Sequence, residues 1–163
     1  MASNDIINRH DGIAFQDEQV VDAYVHRPPY PQALYGKLLE LMHAPCRVLD
    51  LGCGPGKIAL GLADRVEAVT AVDFSAAMIA LGQKLDKGQH QNIEWLCGPA
   101  ETAPYAGQYD LITTAASLHW MDHPVLFARL KQHIHEHSVF AIIDGDGAHE
   151  APWQDDWVDF LKT

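Results

Sequence analysis

Asp50 stands just before a glycine turn, in the run Val48-Leu49-Asp50-Leu51-Gly52-Cys53-Gly54-Pro55-Gly56. Asp73 closes a second apolar run, Ala68-Val69-Thr70-Ala71-Val72-Asp73, about 20 residues further on. Three glycines at alternate positions let the backbone come close to a ligand where any Cβ would clash. A dinucleotide-binding turn reads G-x-G-x-x-G and rests its pyrophosphate on the N-terminus of the next helix. Here the spacing is G-x-G-x-G, and a bare carboxylate at Asp50 would repel that phosphate. The same carboxylate suits a cationic ligand, held directly or through water. An Asp at the strand end occupied by Asp73 can accept hydrogen bonds from both hydroxyls of a ribose.

Alternating elements must position these residues. Leu34, Leu38, Leu41 and Met42 recur at helical spacing, so Pro31 to Met42 is predicted to be a helix with one apolar face, ended by Ala44-Pro45. Cys46 to Leu51 is a short apolar run, as expected for a strand covered on both faces. A helix over Lys57 to Arg65 and a strand over 68–73 follow, and Ser75 is placed to cap a helix through Leu85 that Gly88 breaks. Asn92 to Cys97 and Asp110 to Ala115 read as the third and fourth strands. Pro124 suits the first turn of a helix running to about His137. Val139 to Asp144 is a fifth strand, followed by a Gly-Asp-Gly turn and an acidic, aromatic helix over Trp153 to Leu161. Strand and helix alternate throughout, so the fold class is α/β, with right-handed crossovers and a parallel sheet. Residues 1–23 are polar and expected to be mobile before they meet a ligand.

These motifs resemble those of class I S-adenosylmethionine-dependent methyltransferases. Residues 48–56 are similar to the family's first motif and Ala71-Val72-Asp73-Phe74-Ser75 to its second. Gly98-Pro99-Ala100-Glu101 resembles the adenine-side loop. Tyr109 through Trp120 (YDLITTAASLHW) resembles the fourth-strand motif of the small-molecule, type 11-like branch, and Tyr24 through Tyr35 (YVHRPPYPQALY) its N-terminal cap. The resemblance covers nearly the whole chain, in four ordered motifs preceded by the cap. It implies a Rossmann-like three-layer α/β/α sandwich with a mostly parallel sheet in the order 3-2-1-4-5. It also implies a cap segment over residues 1–43 and a cofactor-binding core over 44–163.

The resemblance implies S-adenosylmethionine as cofactor, S-adenosylhomocysteine as product and methyl transfer to a small molecule by in-line displacement. Gly52, Cys53 and Gly54 would place backbone around the methionine portion, with Asp50 near its charged end and Asp73 on the ribose. Phe74 and Met78 would flank the adenine, and Ala100 with Glu101 would meet its amine. Ala115 would open the fourth strand towards the methyl group. Tyr24 and Arg27 belong to the cap, where Arg27 could pair with the cofactor's carboxylate or an acidic substrate, or simply cover apolar surface. His119, on the substrate side, is the candidate catalytic residue, able to orient a nucleophile or take its proton near neutral pH. The competing reading is a structural His bonded to backbone, while Trp120 beside it is expected to pack. The second functional reading is a non-catalytic or truncated cofactor-binding module; a nicotinamide-dependent dehydrogenase is disfavoured by the turn spacing.

Composition bounds the remainder. The 163 residues suit one domain, with hydrophobic residues at 48% and charged residues at 20%. A formal charge of −11 argues against nucleic acid, whose phosphates need clustered Lys and Arg. No apolar stretch is long enough to span a membrane, and no secretory signal is legible, so a cytoplasmic protein is expected. Cys46, Cys53 and Cys97 lack metal spacing, and His133, His135 and His137 lack a completing ligand, so no metal is expected. The family fold has seven strands and this chain offers five, which leaves strand 139–144 at an open apolar edge. A truncated chain is the favoured explanation; a partner chain, as in a homodimer, or the tail folding over the edge are the others.

Overall fold

The computed structural model describes residues 21, 24, 26–42 and 46–144. Five strands build one wholly parallel sheet: β1 (Arg47–Leu51), β2 (Ala68–Asp73), β3 (Ile93–Cys97), β4 (Leu111–Ala115) and β5 (Val139–Ile143), ordered β3-β2-β1-β4-β5. Helix α1 (Gln32–Glu40) precedes β1; α2 (Lys57–Ala63), α3 (Ala76–Asp86) and α4 (His123–Leu130) form the crossovers after β1, β2 and β4. The chain steps outward from β1 to β3 and then returns to the other side of β1 as β4. That reversal opens a crevice at the carboxyl ends of β1 and β4, the place where open α/β sheets bind ligands.

The central strands are apolar without alternation because both their faces are covered. Val48, Val69 and Leu111 pack on one side with Tyr35, Leu38, Ile58, Leu62 and Ile79 from α1, α2 and α3. Leu49, Leu51, Val72 and Ile112 pack on the other with Tyr105, Tyr109 and the α4 residues Leu126 and Leu130. The pleat period of two puts Asp50 on the same face as Val48, under α1 and α2. Ser75 caps α3, its side chain accepting from the Met78 N–H at 3.3 Å, and Pro124 lies in the first turn of α4. Among the described residues no helix is long and apolar enough to cross a membrane.

Two expectations require correction. Leu41 is 51% exposed, and Tyr35 fills the core position instead, its ring seated where a Cβ on Gly61 would come within 2.2 Å and its hydroxyl donating to the Lys57 carbonyl at 3.0 Å. Helix α4 stops at Leu130 and does not reach His137. The His133 carbonyl instead accepts the Tyr109 N–H at 2.9 Å, which turns the chain back into β5. The histidines therefore share no helix face: His133 Nδ1 meets the Gly107 carbonyl, His135 Nε2 lies 3.1 Å from Asp110 Oδ1, and His137 is exposed. Among the described residues no group of His, Cys, Asp or Glu is placed to hold a metal ion. At the sheet edge, β5 pairs only with β4 among the described strands, and Ile142 is 59% exposed. Residues 1–20, the Ala44-Pro45 stop, the 145–147 turn and the helix expected over 153–161 lie outside the described residues.

Candidate functional site

The glycine turn is assembled by its neighbours. The Cys53 N–H donates to the Val72 carbonyl at 3.0 Å, tying the exit of β1 to the end of β2. A Cβ on Gly52 would stand 2.5 Å from Ser117 Cβ, because the loop after β4 lies directly on the turn. Ser117 holds that loop there, its Oγ donating to the Leu51 carbonyl at 2.8 Å. A Cβ on Gly56 would stand 2.3 Å from the Trp95 ring, which also rests on Gly82 of α3. Gly52 and Gly56 are thus required by packing, whereas a Cβ on Gly54 would meet only the Tyr24 ring, at an ordinary contact distance of 3.8 Å.

The two aspartates sit on either side of this turn. Asp73 is buried at the end of β2; its Oδ2 accepts the Gly54 N–H and its Oδ1 the Ser75 N–H, each at 2.8 Å. Burial raises its pKa, and these two hydrogen bonds pull against the rise. A carboxylate oxygen has two lone pairs, so both oxygens retain capacity for a further donor. Asp50 is 1% exposed, with Oδ1 accepting from the Thr113 hydroxyl at 2.8 Å. Its Oδ2 has no hydrogen-bond partner among the described residues. Burial drives the Asp50 pKa up to about 7, against the Thr113 hydroxyl and the Ala59 amide, with a smaller upward push from the charge of Asp73. A buried oxygen without a partner is costly, and a donor or cation brought to it is correspondingly well rewarded.

A cavity of ≈ 450 Å³ opens at the crevice, within the size range of cofactor sites. Gly52, Gly54, Asp73, Phe74, Met78, Ala100, Glu101, Ala115 and Tyr24 all line it. A smaller cavity of ≈ 40 Å³ adjoins it, sharing Tyr24, Gly52, Gly54 and Ala115, and this one contains Asp50, Cys53, Tyr30 and Lys57. The charged groups on the larger lining are Asp73, Glu101 and Asp122; no Lys, Arg or His belongs to it among the described residues. Such a crevice attracts a cation.

Two of the residues singled out from sequence lie elsewhere. Arg27 lines neither cavity; its guanidinium sits 4.4 Å over the Tyr24 ring and donates to the Tyr24 hydroxyl at 3.2 Å. His119 is exposed in a one-turn 3-10 helix (Leu118–Trp120), its ring 4.6 Å from that of Trp120. The turn aims Trp120, not His119, at the cavity. Sequence reasoning missed Ser117, Met121 and Asp122. Asp122 caps α4, its Oδ1 accepting from the Val125 N–H at 3.3 Å, while its own N–H donates to Glu101 Oε1 at 2.6 Å. The Asp-x-Pro run at 122–124 is a helix-start signal that could have revealed it, whereas nothing local marks Ser117.

A family described as "Methyltransferase domain" matches residues 48–137, more than half of the chain. Over 99 residues the chain is 37% identical to trans-aconitate 2-methyltransferase of Deinococcus radiodurans, covering 59% of this chain and 36% of that relative. It is 35% identical over 77 residues to malonyl-acyl-carrier-protein O-methyltransferase of Priestia megaterium, covering 46% of this chain and 27% of the other. Among solved structures, a candidate type II methyltransferase from Anaeromyxobacter dehalogenans superposes with a TM-score of 0.68 at 33% identity, over 83% of this chain and 56% of that one. The chain spans about a third of the length of these curated relatives.

Proposed function

Because this chain belongs to the methyltransferase-domain family, we propose that its cavity holds S-adenosylmethionine and serves methyl transfer to a small-molecule acceptor, with S-adenosylhomocysteine as the product. The observation that carries this reading is the pair of buried carboxylates on either side of one glycine turn, one of them with an oxygen that lacks a partner among the described residues. Asp73 would accept the ribose hydroxyls on lone pairs that Gly54 and Ser75 leave open. Asp50 would face the charged amino acid end, directly or through water, and the backbone of Gly52, Cys53 and Gly54 would lie along it. Phe74 and Met78 would flank the adenine, with Ala100 and Glu101 at its amine.

The bound sulfonium supplies an activated methyl group that needs little acid–base help. What the chain contributes is position and exclusion of water. Ala115 leaves room at the end of β4, Trp120 and Met121 wall the crevice, and Tyr24 closes its cap side. The relatives named above act, by their names, on trans-aconitate and on malonyl-acyl-carrier protein. A carboxylate-bearing acceptor in this chain would find its countercharge outside the described lining, which carries only acids. The formal charge of −11 speaks against a nucleic-acid acceptor. Within the same reading, residues 1–43 act as the cap and 44–163 as the core, and the open side of β5 is the face a second copy would cover in a homodimer.

Titration calorimetry with S-adenosylmethionine, S-adenosylhomocysteine and NADH tests the assignment. Binding of the first two and not the third is expected; tight NADH binding, or no heat with either sulfur compound, overturns it. A methyl-donor turnover assay over carboxylic and phenolic metabolites then separates an enzyme from a binding module.

A further inference from the structure

Lys57 is the first residue of α2, immediately after the glycine turn, and its half-buried side chain folds back on an earlier segment of the chain. Its Nζ donates to the Arg27 carbonyl at 2.6 Å and to the Pro28 carbonyl at 3.0 Å. One ammonium thus grips two successive carbonyls of a segment some thirty positions earlier in the chain. The segment it grips carries Tyr24: the Arg27 N–H donates to the Tyr24 carbonyl at 3.2 Å, and the Arg27 guanidinium lies on the Tyr24 ring. Tyr24 in turn lines both cavities and stands over Gly54. The chain of contacts Lys57, Arg27, Tyr24, Gly54 joins the start of α2 to the wall above the turn. Pro28, Pro29 and Pro31 remove backbone donors and stiffen the same stretch.

We propose that Lys57 is a positioning residue, which fixes the backbone at Arg27 and Pro28 and so seats Tyr24 as the wall that retains the cofactor. This rests on the cavity being the S-adenosylmethionine site. Lys57 acts on the rate of cofactor escape, not on methyl transfer itself, because its ammonium is committed to the two carbonyls. Burial and the nearby Arg27 charge lower its pKa.

Stopped-flow binding of S-adenosylhomocysteine to wild type, Lys57→Met, Lys57→Arg and Tyr24→Ala tests the assignment. Lys57→Met is expected to raise the dissociation rate about tenfold with little change in association, since hydrogen bonds to a charged group are at stake. Lys57→Arg should recover part of the loss. The same increase should appear with 5′-methylthioadenosine, which lacks the amino acid end, and should vanish in the Tyr24→Ala background. A loss confined to S-adenosylhomocysteine would mean that Lys57 pairs with the ligand carboxylate, and a dissociation rate unchanged in Lys57→Met would remove it altogether; both overturn the proposal. Hydrogen exchange of the Arg27 amide in the ligand-free protein gives an independent reading, expected to quicken in Lys57→Met. Unchanged exchange there defeats the latch, whereas a wild-type chain that binds neither compound defeats the cofactor assignment instead.

Discussion

Replacing Asp50 by Asn separates what this carboxylate does for folding from what it does for ligand. Asn mimics the protonated acid and can still accept from the Thr113 hydroxyl, which lies 2.8 Å from Oδ1. The folded pKa is raised from 3.8 to about 7, so between those values the native state binds more protons than the unfolded chain. Stability therefore falls as pH rises through this window, and the loss is complete above it. At 1.36 kcal/mol per pKa unit the full loss is on the order of 4 kcal/mol. Asp50→Asn escapes it. Urea denaturation of both proteins at intervals from pH 4 to 8 should give curves that meet at the acid end and diverge towards pH 8, with the variant the more stable. S-adenosylmethionine should bind the variant more weakly, because the neutral amide no longer faces its charged end. A further mark is proton release: at pH 7 wild-type binding should expel up to about half a proton, read from calorimetry in buffers of different ionisation enthalpy. Parallel stability curves, with no divergence across the window, would refute the buried-carboxylate argument.

Asp73→Ala removes the acceptor expected at the ribose and should weaken S-adenosylhomocysteine binding by about 2–4 kcal/mol, measured by calorimetry on folded protein. Gly82→Ala would set a Cβ 2.5 Å from the Trp95 ring and 3.2 Å from the Pro55 carbonyl, so thermal unfolding should show a loss of about 1–3 kcal/mol despite the better helix propensity of Ala. Trp120→Ala should impair turnover or ligand binding more than His119→Ala, since the indole lines the cavity and the imidazole does not; the opposite ranking would restore His119 to the site. His90 lies 2.5 Å from Asp86 Oδ1 and 3.3 Å from Asp64, and the Asp86 hydrogen bond above all raises its pKa. The stabilisation is full below the unfolded pKa and fades as pH rises through the folded one, so a His90→Gln variant should lack that part of the pH dependence.

The strands and their parallel sense were legible because each strand is an apolar run bounded by turn residues and most are separated by a helical stretch, whereas their order was implied by the family resemblance. The two aspartates were legible because a carboxylate at the end of such a run has no packing reason to be there. Helix ends were less so. The segment 131–138 has ordinary helical composition, but the Tyr109 N–H takes the His133 carbonyl and turns the chain back towards β5, a contact between residues far apart in sequence. Leu41 matched the apolar spacing of α1 and still came out exposed, since Tyr35 finds a notch at Gly61 that only the packed helices create.

The order of residues by itself determined the sheet, the glycine turn and the two acids beside it, because strand runs, turn spacing and charge are local properties. Tertiary structure alone decided which groups face the crevice. It set Trp120 and not His119 on the wall, laid Arg27 on Tyr24, and assigned Gly52 to Ser117 and Gly56 to Trp95. It also left one oxygen of Asp50 buried without a partner among the described residues, which no spacing rule can foresee. The physical reason is that orientation and burial depend on contacts between elements distant in sequence, which exist only once those elements have packed.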